Sequence, residues 1–569
     1  MVSARLRAPL IAVALIAIFT AQSFFASLQK SPTSDEPAHI AAGLSYLETG
    51  IFHINIQHPP LIKELSAAAL VAAGVHYPRT AEAMDVVKAP PNNSGREWQV
   101  GDGIIASGGA DRVMFWARLP MILVAALLGV ALFLFGRKVA GEAAALGAVF
   151  LYAFDPNALG HSYLVTTDIG IAAFSLLFLL ALWTYLEQPT RARLIRCGVA
   201  MGLMLSAKYS AIFLVPVAAV LLLAAAVRRE PAAMAAAAPA RARKGRTQPA
   251  PAPRRQWTVD RAALRRFAGA FAGMGAIAWL VAWALFFFHG GPWIYLDGVE
   301  RVNADHNPNF VAYLAGDLQP RFTWYFAWCY LLKEPLAAIL LAAGGAWLLV
   351  RSRSIPGLGK LFVVLPPAAI FAACTWRADD LGIRYLMPAL PFAWLPGGMA
   401  LAALARSARR AGRAAAVALC VWLVVAAAGI YPDHLSYFNE SACLLDDPAQ
   451  LGWDGGSRCG AAWLGDSNVD WGQGLKQLKA WLDRHAARRP IYLACFVCVP
   501  PETYGIHATI PDLSQPPRPG VYVISSHFEG SVPALGRKMQ TPLGYWLPRV
   551  RPTAIVGHAY YIYDFGGAQ

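Results

Sequence analysis

Three acidic side chains stand where an apolar span meets a polar loop. Asp35 and Glu36 open the stretch from Ser34 to Leu65, SDEPAHIAAGLSYLETGIFHINIQHPPLIKEL, directly after the first hydrophobic segment, Pro9 to Leu28. Asp168, in LVTTDIG, stands at the entry to a later apolar run. A carboxylate at membrane depth is costly and usually lines a cavity or a site. Two that reach one membrane surface can supply a general base and a charge partner. Asp35 and Asp168, with Glu36 beside them, are therefore the candidate catalytic residues. Each also has a capping alternative: Ser34 or Asp35 capping a helix with acids in its first turn, and Thr166 and Thr167 flanking Asp168.

The cationic complement is His58 and Lys63 in NIQHPPLIKEL, Lys208 in SAKYSA and Arg384 in GIRYLMP. Arginine keeps its charge and binds phosphate bidentately, which makes Arg384 the better phosphate candidate. Lys208, in a tight turn between two spans, could equally be an interfacial lysine. Lys333-Glu334 reads as a local ion pair near the interface. Asp466, Asp470 and Trp471, in GDSNVDWGQGL, either contact an acceptor or cap a strand–helix junction. A proton acceptor and phosphate-binding cations at a membrane surface point to chemistry on a lipid-linked substrate.

The elements that must position these residues are mostly membrane spans. The chain has 569 residues, 57% hydrophobic and 15% charged, with a mean hydropathy of +0.43, which is the composition of a polytopic membrane protein. Apolar runs at 8–28, 113–136, 141–158, 168–186, 194–207, 209–227, 267–288, 324–350, 361–376, 385–404 and 414–431 suggest about 11 spans, several of them shorter than the ~20 residues a simple span needs. The first reads as a retained helix rather than a cleaved signal. With a cytoplasmic N-terminus, the inside loops hold Arg137-Lys138, Arg191/Arg193/Arg196, the segment 228–266, Arg351/Arg353/Lys360 and Arg406/Arg409/Arg410/Arg413, as the positive-inside rule requires. This distribution accounts for the net charge of +15 without nucleic acid. The Ala/Pro/Arg-rich segment 228–266 reads as a disordered cytoplasmic loop near anionic headgroups.

The same topology places four regions outside: the loop 28–112 with amphipathic helices (Ile40, Leu44 and Leu47 on one face of the first), the turn at Asp155–Asp168, the loop 289–323, and everything from 432 to 569. In the last, AAWLGD, PIYLACFVCV, GVYVIS and AYYIYDF read as strands and GLKQLKAWLDRHA as a helix, which suggests a small α/β domain. Residues 1–431 form the membrane module. Eight cysteines make no disulfide framework in a chain this long; Cys443 and Cys459 are candidates for one bridge, and Cys495 and Cys498 for core packing. No zinc spacing, Walker, GxGxxG or GxSxG motif occurs, which disfavours nucleotide use and serine hydrolysis. The sequon-like Asn92-Asn93-Ser94 reads as chance.

Taken in order, DEPAHIAAG, NIQHPPLIKEL, WARLP, DPNALGHSYLVTTD, SAKYSA, YLLKEPL, GIRYLMPALPF, HLSYFNE and GDSNVDWGQGL resemble the polyprenyl-phosphate-sugar-dependent membrane glycosyltransferases of the GT-C superfamily. The branch they look most like is the bacterial protein O-mannosyltransferase / aminoarabinose-transferase-like family 39. The resemblance implies an inner-membrane enzyme with a periplasmic C-terminal α/β domain. It would transfer a sugar, with inversion, from a polyprenyl-phosphate carrier to a protein, lipid or glycan acceptor. Asp35 would deprotonate the acceptor, Asp168 would assist, and His58, Lys63, Lys208 and Arg384 would hold the donor phosphate. No cofactor is required, and a divalent metal is allowed but not demanded. The family pattern carries Glu where this chain has Gln57, and Asp where it has Gly474. Rival readings are a transporter or flippase of lipid-linked sugars, which predicts mid-span charges and related halves, a ligase using a lipid-diphosphate glycan, and a non-catalytic anchor for the outer domain.

Overall fold

The structure, a computed structural model, describes residues 4–90, 95–231, 255–304, 307, 310–486 and 489–566. Asn92-Asn93-Ser94 and most of the basic loop lie outside the described residues. The first helix, α1 (Ala4–Ser27), crosses toward the face that carries the candidate site. There the chain builds α2 (Asp35–Thr49), α3 (Leu61–Ala72), α4 (Ala81–Lys88) and α5 (Arg96–Ser107) before re-entering the apolar region. Pro60 precedes the first residue of α3, where its missing N–H costs no helical bond.

The membrane part continues with α6 (Ala110–Val139), α7 (Glu142–Ala153), α8 (Pro156–His161), α9 (Thr167–Glu187), α10 (Arg191–Ala207) and α11 (Leu214–Ala226). A ribbon of β1 (Val227–Pro231) and β2 (Arg255–Val259) leads to α12 (Arg261–Leu285) and α13 (Ile294–Ala304). A short hairpin of β3 (Ala312–Leu314) and β4 (Asp317–Gln319) is followed by α14 (Tyr325–Lys333), α15 (Leu336–Arg351), α16 (Gly357–Arg377), α17 (Pro391–Ala405) and α18 (Arg410–Gly429). The flanks of the stretch expected to be disordered are thus ordered: paired strands on both sides, and Arg261–Arg266 inside α12.

All eleven expected segments are helical, but they are not eleven equal spans. Seven helices among the described residues are long and apolar enough to cross a membrane: α1, α6, α9, the run Tyr209–Ala226 that ends in α11, α12, α16 and α18. The pair α14–α15 would be an eighth, bent by 113° at Glu334-Pro335, where Pro335 removes an N–H and drives the preceding residue out of helical geometry. α7, α10 and α17 have 12, 17 and 15 residues, below the ~20 of a simple span.

The amphipathic expectation for α2 fails. It is buried from Glu36 to Tyr46 on every face, because α3 and α5 pack on it. Gly43 permits the crossing with α3: a Cβ there would lie 2.2 Å from the Lys63 carbonyl oxygen.

The last part holds α19 (Ser441–Leu445), α20 (Gly460–Trp463), α21 (Leu475–His485), β5 (Ile491–Ala494), β6 (Gly520–Ser525), α22 (Ser526–Met539), β7 (Ala554–Val556) and β8 (Tyr560–Phe565). The sheet order is β5-β6-β8-β7, with β5–β6 parallel and the other pairs antiparallel. Every residue of the central β6 is buried, as its unbroken apolar run requires. AAWLGD is not a strand; it forms α20 and a tight turn. Two bridges close in this part, Cys443–Cys459 and Cys495–Cys498. Cys495 and Cys498 pack, partly buried, against the core of this part as expected, and they are also bridged, which the expectation that they face opposite sides of a strand had not allowed, because β5 ends at Ala494.

Candidate active site at the junction of spans and loops

Arg384 sits in a one-turn segment, Ile383–Leu386, between α16 and α17. Its Nη1 donates to Asp35 Oδ2 at 3.1 Å, and its guanidinium lies 4.3 Å from the centre of the Trp471 ring and 5.4 Å from that of Tyr385. Burial alone would weaken its charge, but the field of Asp35, then those of Tyr385, Asp168 and Asp466, hold the proton more firmly than usual. Its Nε is buried and finds no acceptor among the described residues.

A second acid–cation pair stands beside the first. Asp168 opens α9 and accepts from Lys208, which closes α10, at 2.6 Å. Lys208 Nζ lies 4.7 Å from the centre of the Tyr385 ring. Tyr385 is thus shared by both cations, and its electron-rich face favours each of them. His58 stacks edge-on against His39 at 5.0 Å, and His39 Nδ1 meets the Val165 carbonyl at 2.6 Å. Burial pushes both imidazoles below the usual histidine range, and for His58 the charges of His39, Lys208, Lys63 and Arg384 add to it. The surroundings of His58 thus disfavour the charged form that the phosphate-holding expectation would use.

Two expected site residues have other work. Glu36 is fully buried, ion-paired to Arg118 at 2.6 Å, and accepts from the backbone N–H groups of Thr33 and Val165 at 2.8 and 3.0 Å. Its carboxylate ties α2, α6 and the turn before α9 together, so the geometry gives it a structural role in place of the expected catalytic one. Lys63 is also fully buried, and all three of its protons are engaged, by Tyr46 Oη at 2.8 Å and the carbonyls of Asn55 and His58 at 2.7 and 2.6 Å. It braces the α2–α3 turn and has no donor left for a phosphate. Lys333 and Glu334 do not bond each other. Lys333 donates to the carbonyls of Leu435 and Asn468, and Glu334 accepts from Asn157.

The segment Gly465–Gln473 joins the last part of the chain to the site. Trp471 accepts from the Ser34 N–H at 2.9 Å, one residue before Asp35, while its ring carries Arg384. Asn468 Oδ1 accepts from the Ile383 N–H at 3.1 Å, and its amide donates to Tyr325 Oη and the Gly465 carbonyl. Ser467 donates to the Leu381 carbonyl at 2.6 Å. Asn468 and Ser467 escaped the sequence reading; their only signal was their place between Asp466 and Asp470. Asp466 feels Arg384 and Asp35, with burial raising its pKa and Arg384 opposing. Asp470 accepts from Ser525 at 2.5 Å and Gly472 at 2.9 Å, and burial pushes it up to about 7. These bonds tie Asp470 to the end of β6 and to its own turn; it caps no helix, and α21 starts at Leu475 without a side-chain cap. At Gly474, where the family pattern carries Asp, an added Cβ would meet the Tyr560 ring at 2.8 Å. Among the described residues, no three His, Cys, Asp or Glu side chains are grouped to hold a metal ion.

Residues 110–238 match the family model of dolichyl-phosphate-mannose-protein mannosyltransferase, a stretch that holds Arg118, Asp168 and Lys208. No curated protein sequence matches the chain significantly. The chain is similar to the structure of ArnT from Cupriavidus metallidurans bound to undecaprenyl phosphate, at 14% identity and a TM-score of 0.44 over 97% of both chains. It is also similar to the archaeal oligosaccharyltransferase AglB from Archaeoglobus fulgidus in complex with an inhibitory peptide and a dolichol-phosphate, at 12% identity and 0.43 over 74% of this chain and 54% of that one. A third similarity is to the S. cerevisiae protein O-mannosyltransferase Pmt1-Pmt2 complex bound to the sugar donor, at 11% identity and 0.45 over 81% and 94%. At these scores the structural likeness adds no argument of its own. The family match covers residues 110–238 of the 569, less than a quarter of the chain.

Proposed function

We propose that this chain moves a sugar, with inversion at the anomeric carbon, from a polyprenyl-phosphate carrier to an acceptor at the membrane face that bears the site. The observation that carries the reading is the pair of acid–cation contacts, Asp35–Arg384 and Asp168–Lys208, meeting at one Tyr385 ring. Asp35 accepts the proton of the acceptor hydroxyl. The freed oxygen attacks the anomeric carbon, the bond from that carbon to the phosphate oxygen breaks, and polyprenyl phosphate leaves with the electron pair. Arg384 and Lys208 meet the charge that grows on the phosphate in a site largely shielded from water. In the resting geometry Arg384 holds Asp35. A donor phosphate competes for the same guanidinium and so releases the carboxylate to act as base.

The family model's donor, a dolichyl phosphate sugar, supports this donor class. An apolar cleft of about 540 Å³ between α1 and α6, lined by Ile16, Phe24, Ile122 and Leu123, offers the prenyl chain a path. Its Phe24 and Ile122 pack in one cluster with Trp471. We take residues 1–431 as the catalytic membrane module and 432–569 as a periplasmic domain that orders it, in a bacterial inner membrane with a cytoplasmic N-terminus. No cofactor takes part in this scheme, and turnover that survives a chelator is the check on a divalent metal.

The test is release of labelled sugar from a polyprenyl-phosphate donor by purified protein in liposomes, wild type against Asp35→Asn. Transfer or donor cleavage lost in a folded Asp35→Asn protein supports the reading. Donor crossing the bilayer without cleavage, unchanged in the variant, replaces it with the flippase reading.

A further inference from the structure

The segment closed by Cys443–Cys459 exposes four large apolar side chains in fifteen residues: Leu444 (53% exposed), Leu445 (62%), Leu451 (41%) and Trp453 (80%). None belongs to the site, and a small water-facing loop gains nothing from such a display. Its position explains it. The Trp453 backbone packs on the last residue of α18, where a Cβ on Gly429 would lie 1.8 Å from the Trp453 carbonyl oxygen. The chain just before the segment reaches deeper still. Glu440 accepts from the Trp422 indole at 2.6 Å, two turns down α18 from Gly429, or about 10 Å at the rise of an α-helix.

On the other side Asn439 is stitched to the break between α14 and α15. Its N–H donates to the Leu332 carbonyl at 2.8 Å, and its side-chain amide to those of Leu331 and Glu334 at 2.6 and 2.7 Å. Both helices flanking the segment are apolar and exposed there, α18 at Val417, Val421 and Val424, and α14 at Trp328 and Leu331. The exposed apolar surface of the loop continues that lipid-facing surface. Exposed tryptophans also mark the ends of neighbouring spans on the same face: Trp324 at the start of α14 and Trp376 at the end of α16. Tryptophan collects at the headgroup level, where an apolar body and a polar N–H are both satisfied.

We propose that the loop Cys443–Cys459 is an interfacial anchor, with Leu444, Leu445, Leu451 and Trp453 seated in the lipid leaflet on the site-bearing face. Asp446 and Asp447, in the same segment, keep to its watery rim, where Asp447 is bonded by the Ala449 N–H and the Gln450 amide. The disulfide holds the two ends of the loop together. The anchor fixes the height of the last part of the chain over the membrane, and with it the Gly465–Gln473 segment that carries Trp471.

The experiment uses full-length protein labelled with fluorotryptophan in lipid nanodiscs. The resonance missing from Trp453→Phe identifies Trp453. A phosphatidylcholine carrying a nitroxide high on its acyl chain is expected to abolish that resonance, while a water-soluble gadolinium chelate leaves it. Broadening by the chelate instead, with none from the lipid probe, would place the loop in water and overturn the anchor. Protection from both probes would also overturn it, in favour of cover by a second protein surface.

Discussion

The Arg384 guanidinium lies over the Trp471 ring, 4.3 Å from its centre, while its Nη1 donates to Asp35. The carbonyl of the same Trp471 fixes the segment entering α2 by accepting from the Ser34 N–H. One residue of the last part of the chain therefore sets both members of the proposed catalytic pair. A partly desolvated cation–π contact contributes up to about 2 kcal/mol. We expect Trp471→Ala to raise KM for the donor about tenfold, and Trp471→Phe to recover most of that loss because a ring remains under the guanidinium. Initial-rate kinetics against donor concentration decide it, and a Trp471→Phe protein as impaired as Trp471→Ala would show that packing of the ring is not what matters.

Neighbouring acids should fail in different ways. Asp35 is partly exposed and keeps one cationic partner, so Asp35→Asn should lower kcat by about 10²–10⁴, the usual worth of a general base, with the melting temperature nearly unchanged. Glu36 is buried against Arg118, and Glu36→Gln leaves a buried guanidinium without its counter-charge, which costs about 3–5 kcal/mol. Low yield and early melting in detergent are expected for Glu36→Gln. Equal melting of the two variants would refute the division of labour.

This contrast also shows how much was legible in the chain itself. Asp35, Asp168, Lys208 and Arg384 could be picked out because a charge at a span edge is expensive and has few cheap explanations. Glu36 and Lys63 could not be separated from them by the same rule, since a charge is equally justified by structural partners: two backbone N–H groups and Arg118 for Glu36, two carbonyls and the Tyr46 hydroxyl for Lys63. Which carbonyls converge on Lys63 depends on how α2 crosses α3, a tertiary fact. The helical segments were visible as apolar runs, but the sharp bend at Glu334-Pro335 and the complete burial of α2 depend on their neighbours. The Cys495–Cys498 bridge was missed because the strand was drawn to Val499, whereas β5 ends at Ala494.

Asp168 and Lys208 are the pair to test by a double-mutant cycle. Asp168 is almost fully enclosed and Lys208 nearly so, so each single change, Asp168→Asn or Lys208→Met, strands one charge in a poor solvent. Each should cost about 3–5 kcal/mol of stability, and the double variant should cost less than the sum of the two. Denaturant melts of all four proteins in one detergent measure the coupling. Strict additivity would mean that the two groups do not bond in the membrane.

A cluster away from the site should govern alkaline stability. His558 bridges Asp433 at 2.7 Å and Asp454 at 2.9 Å, and Lys30 from the end of α1 also pairs with Asp433. Burial would lower the pKa of His558, but the hydrogen bonds and charges of the two carboxylates overcome it and raise it to about 9. In the unfolded chain it titrates near 6.5. A group bound more tightly to its proton when folded stabilises fully below the unfolded value and loses that effect as pH rises through the folded one. The window is therefore pH 6.5 to about 9, and the contribution at stake is on the order of 3 kcal/mol. Asp433 and Asp454 act in the opposite sense. Burial would raise both, yet Lys30 and His558 hold Asp433 below the usual carboxylate range, and His558 and Arg458 do the same for Asp454. Their stabilisation is present above the ordinary carboxylate value and fades only as pH falls through their lowered ones. Melting temperature should thus hold level below pH 6.5 and fall toward pH 9, and His558→Gln should flatten that alkaline limb while lowering the plateau. A limb of unchanged slope in His558→Gln would assign the alkaline transition to another group.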